Sequence, residues 1–140
     1  MECCVTNNKL SLTLHVLPVD VVVNGLIGSL PTEIGLLSRL GILLLSSNAL
    51  TSTLPTQLGL LSSLDDLDLD DNKLTGTVPT QLGLLSSLEL LALSNNKLSG
   101  AVPSELGQIS ALQDLWLDSS GLSESIPPEI NQDQVRVDFP

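Results

Sequence analysis

A period of 24 residues runs through most of this chain and limits its fold more than any other feature. The pattern Leu-x-x-Leu-x-Leu-x-x-Asn-x-Leu recurs without insertion, and its copies begin at Val16, Leu40, Leu64, Leu88 and Leu112. The first copy has Val at its leading positions, and the last has Ser in place of Asn. A unit repeated at a fixed period is typical of a solenoid, in which each rung buries its apolar residues against its neighbours. We therefore predict about five 24-residue repeats over residues 16–130, with strands starting near these five positions.

The spacing within one repeat indicates what each part of a rung does. Alternation of Leu with other residues places the leucines of a short strand inward and the intervening residues outward. The Asn follows the strand, where its amide is able to donate and accept hydrogen bonds with buried backbone groups. A segment such as Gly76-Thr-Val-Pro79 then begins the return path, where no backbone N–H is needed at the Pro. We predict a structural ladder formed by Asn24, Asn48, Asn72 and Asn96.

These motifs resemble the plant-type leucine-rich repeat over roughly residues 16–130. The resemblance rests on the strand unit with its Asn, on segments such as Leu74-Thr-Gly-Thr-Val-Pro79, and on the x-x-Leu-Gly-x-Leu-x-x-Leu unit that ends at Leu88. It implies an α/β solenoid: a right-handed horseshoe with a parallel β-sheet on its concave face and 3₁₀ turns and short extended segments on its convex side. Receptor-like kinase ectodomains and polygalacturonase-inhibitor-like proteins carry this repeat. They use it to bind peptides, proteins or glycan-associated ligands.

The two ends of the chain depart from the repeat. Residues 1–15 are interpreted as the remnant of an N-terminal cap, and an alternating apolar segment there predicts a strand that seals the first rung with Leu10, Leu12 and Leu14. The adjacent Cys3 and Cys4 resemble the tail of the cap of the family, but its Trp-x-Gly element and upstream Cys are absent, which predicts a clipped N-terminus. Residues 131–140 are predicted to form a C-terminal cap or tail, with a short edge strand at 135–137.

The outward residues of the sheet are the natural candidates for binding. On the predicted concave face they combine carboxylates with apolar side chains and the single Trp of the chain. An exposed Trp beside acidic residues is a composition found in interaction hot spots. The predicted ligand-binding residues are Ile42, Leu44, Asp66, Asp68, Asp70, Leu90, Asp114, Trp116 and Asp118. The alternative is that the Asp residues are merely solvated and that Trp116 caps the edge of the core.

The charge balance limits the class of partner. Five Lys and Arg residues against 16 Asp and Glu residues give a formal net charge of -11. This balance argues against nucleic acid and anionic lipid as partners, because both require a basic face. We therefore expect the partner to be a protein or peptide of basic character.

No catalytic residue, metal site or cofactor is predicted. The single His, His15, lies in the cap region as an outward strand residue, and none of the common nucleophile, zinc or phosphate-binding motifs occurs. The alternating carboxylates that start at Asp66 do not form an EF-hand, because Asp71 and Thr77 occupy the positions where that motif needs Gly and Glu. Weak surface binding of Ca²⁺ is the one alternative left open.

The sequence therefore predicts a non-catalytic module that binds a protein or peptide on its concave face. A second hypothesis is the sensor fragment of a leucine-rich-repeat receptor-like serine/threonine kinase whose kinase domain is absent here. A third is ice or surface binding, because hydroxyls recur at rung spacing at Thr51, Thr53, Thr75, Thr77, Ser99, Ser123 and Ser125. The resemblance implies an extracellular or cell-surface location, although the chain shows neither a signal peptide nor a membrane-spanning segment.

Overall fold

The repeated short strands and turns of the sequence stack as rungs. The computed structural model describes residues 3–6, 9–12, 19–20, 22, 25–123 and 125–139, so that His15 and Asn24 lie outside the described residues. Its strands are β1 (Cys3–Thr6), β2 (Lys9–Leu12), β3 (Val19–Asp20), β4 (Ile27–Gly28), β5 (Ile42–Leu44), β6 (Ala49–Leu50), β7 (Asp66–Asp68), β8 (Thr75–Gly76), β9 (Leu90–Ala92), β10 (Lys97–Leu98), β11 (Asp114–Trp116) and β12 (Arg136–Asp138). Its 3₁₀ helices are Thr32–Leu36, Thr56–Leu60, Thr80–Leu84 and Ser104–Gln108.

A six-stranded parallel sheet forms one side of the molecule, with the strand order β3-β5-β7-β9-β11-β12. The pairing follows the period of the sequence along Leu43, Leu67, Leu91 and Leu115. Leu115 then pairs with Val137, which comes two positions earlier than the period requires. The predicted solenoid is therefore present, and its last rung is shorter than the others.

In the repeats with predicted strand starts near 40, 64, 88 and 112, the strands begin two residues after the leading Leu. β5, for example, begins at Ile42. Leu40 is buried, and its backbone N–H donates to the Leu37 carbonyl over 2.8 Å. The leading Leu recurs in these repeats because it packs in the core from the turn that precedes the strand.

Leucine side chains from both sides of each rung form one continuous core. The inward strand residues Leu43, Leu67, Leu91 and Leu115 are at most 1% exposed. The apolar residues at the centres of the 3₁₀ helices face them from the other side, and they are Ile34, Leu58, Leu82 and Leu106. Burial of each such side chain stabilises the fold by about 1.5–3 kcal/mol, and a single rung lacks neighbours to provide it.

The 3₁₀ helices pack side by side and approach one another closely. Each is preceded by an extended Pro, for example Pro79 with φ -67 and ψ 133. The fourth residue of each helix is Gly, and a Cβ placed on Gly83 would lie 2.4 Å from the Glu105 carbonyl oxygen. Only a residue without a side chain leaves room for the next rung at this position.

The ends of the solenoid differ from its interior. β1 and β2 form an antiparallel hairpin, and β2 contains Leu10 and Leu12 of the predicted strand, whereas Leu14 lies outside the described residues. The edge strand predicted at 135–137 is observed one residue later as β12, which pairs with β11 in parallel. Within the described ranges, no helix has the length and hydropathy that crossing a membrane requires.

Candidate ligand-binding face

The outward side of the six-stranded sheet, called the sheet face below, collects the predicted binding residues in two rows. The first row, read across the strands, is Ile42, Asp66, Leu90, Asp114 and Arg136. The second row is Leu44, Asp68, Ala92, Trp116 and Asp138. Neighbouring residues in a row are about 4.8 Å apart, so each row is a continuous surface. Asp70 and Asp118 lie two residues beyond the ends of β7 and β11.

The acidic part of the sheet face is centred on β7. Asp66 and Asp68 are half-buried there, between the apolar side chains of the neighbouring strands β5 and β9. The Asp68 carboxylate accepts the backbone N–H of Asp70 over 3.0 Å, which fixes its orientation. A cationic group placed on β7 therefore meets two carboxylates and apolar surface on both sides.

Asp70 is half-buried and is not a freely solvated outward carboxylate. Its Oδ1 accepts the backbone N–H of Ser94 in the next rung. Burial raises the pKa of Asp70 to about 6; the Ser94 backbone hydrogen bond opposes this rise, and the charges of Asp68 and Asp71 add to it. Asp70 therefore joins two rungs and supplies charge to the sheet face only above this pH.

The raised pKa makes stability depend on pH. Between about 3.8 and 6 the folded chain holds a proton on Asp70 that the unfolded chain has lost, so the free energy of unfolding rises as the pH falls through this window. Asp70→Asn removes the charge and keeps the acceptor for Ser94. We expect the variant to be more stable at pH 7 by about 1–2 kcal/mol, after allowance for the solvent exposure of the group.

Thermal unfolding of both proteins from pH 7 to pH 4 measures this effect. The Asp70→Asn curve should be flatter, and its advantage should disappear towards pH 4. Asp65→Asn removes an exposed carboxylate nearby and is the matched control, with no comparable flattening. Equal slopes for wild type and Asp70→Asn would contradict the assignment.

Trp116 and an ion pair form the other end of the sheet face. Arg136 Nε donates to the Asp114 carboxylate, and this bond lowers the pKa of Asp114, with a smaller contribution from a Trp116 hydrogen bond. Trp116 is 37% exposed, and Ala92 beside it on β9 is fully buried. Trp116 therefore presents a partly exposed ring beside a small, buried neighbour.

Sequence reasoning missed Arg136 as a member of this face. The pattern of the interior repeats ends before β12, and the shorter last rung shifts Arg136 into the row of Asp114. The alternation of Val135, Arg136 and Val137 was the available signal, because it places Arg136 outward between two inward residues. The row thus contains one cation among its carboxylates.

The Asn ladder lies beside the sheet face and holds consecutive rungs together. Asn48, Asn72 and Asn96 each accept, through Oδ1, a backbone N–H of the preceding rung at 2.9–3.0 Å. The Asn72 amide also donates to the Leu45 and Leu69 carbonyls. The next position after Asn96 is Ser120, whose backbone carbonyl accepts Leu98 N–H over 2.8 Å instead.

A cavity of about 620 Å³ opens beside the sheet face where the last rung is short. Its lining includes apolar Leu112 and Val135 and the carboxylate-bearing Glu89 and Glu129. Glu89 accepts a hydrogen bond from Gln113, which directly precedes β11. This cavity thus extends the acidic and apolar surface past the edge of the sheet.

Two further sequence hypotheses concern metal binding and the column of hydroxyl side chains. Over the described part of the chain, no group of three His, Cys, Asp or Glu side chains is arranged to hold a metal ion. The hydroxyl column is exposed at Thr51, Thr53, Thr75 and Thr77, but Ala101 interrupts it in the next rung. Ice or surface binding stays a prediction.

Comparison with known proteins agrees with this architecture. The family model described as Leucine Rich Repeat matches residues 63–85 and 87–109. No curated protein sequence matches the chain significantly. With the parallel sheet, the 3₁₀ helices and the Asn ladder, these repeats make the chain a member of the leucine-rich-repeat proteins.

Solved structures that resemble it are ectodomains of plant receptor kinases and their complexes. The BIR3–SERK2 complex from Arabidopsis thaliana is 36% identical with a TM-score of 0.77, over 86% of this chain and 66% of that chain. The leucine-rich-repeat ectodomain of the receptor kinase SOBIR1 from the same plant is 32% identical with a TM-score of 0.77. That match covers 86% of this chain and 66% of the SOBIR1 chain. The Arabidopsis receptor kinase HAESA, in complex with the peptide hormone IDA and the co-receptor SERK1, is 37% identical with a TM-score of 0.72. That match covers 74% of this chain and 18% of that chain, so this chain spans about two thirds or less of the chains it matches here.

Proposed function

We propose that this chain is a non-catalytic recognition module that binds a basic peptide or protein on its sheet face. The observation that carries the proposal is the order of side chains across the sheet. Apolar Ile42 and Leu44 come first, then Asp66 and Asp68, and Trp116 lies two strands further on. A ligand that alternates cationic and apolar groups matches this order.

The rigidity of the surface favours binding. Backbone bonds between rungs continue beyond the strands, as in Leu69 N–H to the Ala92 carbonyl at 2.9 Å and Leu93 N–H to the Trp116 carbonyl at 2.8 Å. A surface fixed in this way loses little conformational entropy when a ligand binds. The cavity beside Glu89 adds space for one long basic side chain at the edge of the face.

The relatives support a sensor role for the chain. Their structures include the complex of HAESA with a peptide hormone and a co-receptor, and the complex of BIR3 with SERK2. We propose by this similarity that the chain acts as an extracellular or cell-surface ligand-recognition segment of a receptor-like protein. Any phosphorylation would then belong to a kinase domain elsewhere in the polypeptide.

A charge-reversal experiment tests the binding face. The probe is a series of synthetic peptides that alternate Arg or Lys with Leu, measured by isothermal titration calorimetry. Asp68→Lys and Trp116→Ala are each expected to weaken binding at least tenfold, because the first removes the central carboxylate and the second removes the exposed aromatic ring.

Glu33→Lys is the matched control, because it makes the same charge reversal in an exposed 3₁₀ helix away from the sheet. We expect it to change affinity by less than about threefold at physiological salt, where charges beyond about 8 Å are screened. Equal losses for Glu33→Lys and Asp68→Lys would mean that net charge alone attracts the peptides. Normal binding by both sheet-face variants would overturn the proposal.

A further inference from the structure

The cavity beside the sheet face exists because the last rung is short. Leu115 pairs with Val137, which lies 22 residues further along the chain instead of 24, and by the same count Leu112 corresponds to Gln134. Interior rungs have a leucine at this position, such as the fully buried Leu88, whereas Gln134 is exposed. A polar residue therefore takes the place of the leucine that would close this end of the core.

The wall of the cavity that faces the core is apolar. Four buried apolar residues contribute to the lining, and they are Ile109, Leu112, Ile130 and Val135. The cavity volume of about 620 Å³ lies within the range of small-molecule sites, roughly 300–1,000 Å³. The aliphatic stem of one long side chain therefore has both the space and an apolar surface to pack on.

The charge of the cavity is negative. The residues that line it, all in the described part of the chain, include the carboxylates Glu89 and Glu129 and no Lys or Arg. Arg136 directly follows the lining residue Val135, but its Nε donates to the Asp114 carboxylate on the sheet face. The lining thus combines apolar surface with carboxylates, which favours a ligand group that has a long apolar stem and a cationic end.

Contacts between rungs position these acceptors. Gln113 Nε2 donates to Glu89 Oε2 over 3.0 Å, which orients the Glu89 carboxylate and leaves Oε1 as an acceptor. The backbone of Glu129 packs directly on Gly107, where a Cβ would clash with the Glu129 carbonyl oxygen. Acceptors held in this way lose little conformational entropy when a ligand binds.

We propose that this cavity is a binding pocket for a guanidinium group, and that it takes an arginine side chain of the ligand. Glu89 and Gln113 directly precede β9 and β11, and Gln113 lies three residues before Trp116, or about 10 Å along the strand. One peptide is therefore able to place an arginine in the cavity and an apolar group against Trp116. This role within a peptide rests on the function proposed above, whereas the affinity of the cavity for arginine does not.

The mixture of acceptors selects arginine over lysine. Amide and hydroxyl oxygens of Gln113, Asn131 and Ser110 line the cavity together with the carboxylates. The five N–H donors of a guanidinium group engage several such oxygens at once, whereas an ammonium group has three donors. The guanidinium group is also more weakly hydrated, so it loses less when it approaches the apolar wall.

NMR titration with a single blocked amino acid, N-acetyl-arginine methylamide, tests the cavity without any peptide. The amide signals of Ser110, Gln113, Gln134 and Val135 are expected to shift at millimolar ligand. The citrulline analogue has nearly the same shape without the charge, and it should bind about tenfold more weakly. The lysine analogue should bind about threefold more weakly, because it has fewer donors and a stronger hydration shell.

Two variants change the cavity in opposite ways. Glu89→Gln keeps an acceptor for Gln113 but removes the charge, and it should weaken binding of the blocked arginine about tenfold. Gln134→Leu restores the leucine of the interior rungs. It should abolish binding and raise the urea concentration at the midpoint of unfolding, because the new side chain covers Leu112.

Asp65→Asn is the matched control, because Asp65 is an exposed carboxylate at the position of Glu89 one rung earlier. It should change the affinity for the blocked arginine by less than about twofold, since its charge is screened at this distance. Shifts that are absent at tens of millimolar, equal for the citrulline analogue, or equally reduced by Glu89→Gln and Asp65→Asn would overturn the proposal. Equal affinity for the lysine analogue would overturn the preference for arginine.

Asp68→Lys separates this proposal from the function of the sheet face. It should leave the binding of the blocked arginine intact, because Asp68 is not part of the cavity lining. Peptides that fail to bind while the blocked arginine still shifts the cavity signals would refute the sheet-face function alone. Peptides that lose affinity in Asp68→Lys but not in Glu89→Gln would refute the role of the cavity alone.

Discussion

Replacement of Asn72 by leucine is expected to lower the free energy of unfolding by about 2–4 kcal/mol, although the two side chains have similar size. Asn72 is only 7% exposed. Its Oδ1 accepts Leu50 N–H over 3.0 Å, and its amide donates to the Leu45 and Leu69 carbonyls. Leucine leaves the buried Leu50 N–H without this acceptor and removes one donor from each carbonyl. Urea unfolding followed by far-ultraviolet circular dichroism measures the loss.

The control for this variant is Asn131→Leu, which makes the same chemical change at an exposed position, where Oδ1 accepts only the exposed Asp133 N–H over 3.1 Å. Surface substitutions of this kind change stability by about 0.5 kcal/mol or less. An unchanged midpoint for Asn72→Leu, or equal losses in the two variants, would show that the ladder does not stabilise the stack.

The addition of one methyl group in Gly83→Ala is expected to cost about 2–3 kcal/mol. The new Cβ would lie 2.4 Å from the Glu105 carbonyl oxygen and 2.8 Å from the Glu105 carbonyl carbon, well inside van der Waals contact. Backbone of the next rung has to move to relieve the clash. That movement separates Leu82 from Leu106 in the core, so the cost spreads beyond the substituted site. Thermal and urea unfolding both report it.

Gly41→Ala is the matched control within the same repeat architecture. A Cβ there meets only Asp65 Oδ2 at 3.6 Å and the Ser63 carbonyl oxygen at 3.7 Å, which is ordinary contact. Gly41 is also absent from the glycines with positive φ in the described chain. We expect no loss, or a gain of about 0.4–1 kcal/mol from the reduced entropy of the unfolded chain. Identical behaviour of the two alanine variants would refute a close-approach role for Gly83.

Asn72→Leu and Gly83→Ala each change one of the two columns of residues that fix the distance between rungs. The Asn ladder holds the sheet side, and the glycines of the 3₁₀ helices permit close packing on the other side. The spacing of Asp66, Leu90 and Asp114 across the sheet face follows from both columns. A change in either column is therefore expected to disturb ligand binding without contact with the ligand.

Much of the fold could be predicted from the 24-residue repeat. The predicted solenoid with a parallel sheet is confirmed, and so is the resemblance to leucine-rich-repeat proteins. The reason is that each rung contacts mainly its neighbours, so a local pattern such as Leu67-x-Leu69 already states which side chains face inward. The positions of Asp68 and Trp116 in one outward row follow from the same periodicity.

Other features of the sheet face depend on contacts between rungs. Asp70 has the sequence position of an outward residue, yet Ser94 N–H draws its carboxylate into a half-buried site. Arg136 joins the row of Asp114 because the last rung is two residues short, and only the strand pairing reveals that shift. Leu60 and Leu61 are the same residue type at adjacent positions, but Leu60 is 58% exposed whereas Leu61 is fully buried.

By itself the sequence determined the repeat, the class of fold, the acidic character and the choice of inward and outward leucines along each strand. These properties follow from the period and from residue chemistry, which act within one rung. Only the tertiary structure decided the ion pair of Arg136 with Asp114, the raised pKa of Asp70 and the exposure of Leu60 beside the buried Leu61. Each of these depends on the distance and register between rungs, which hydrogen bonds and close backbone packing establish after the chain has stacked.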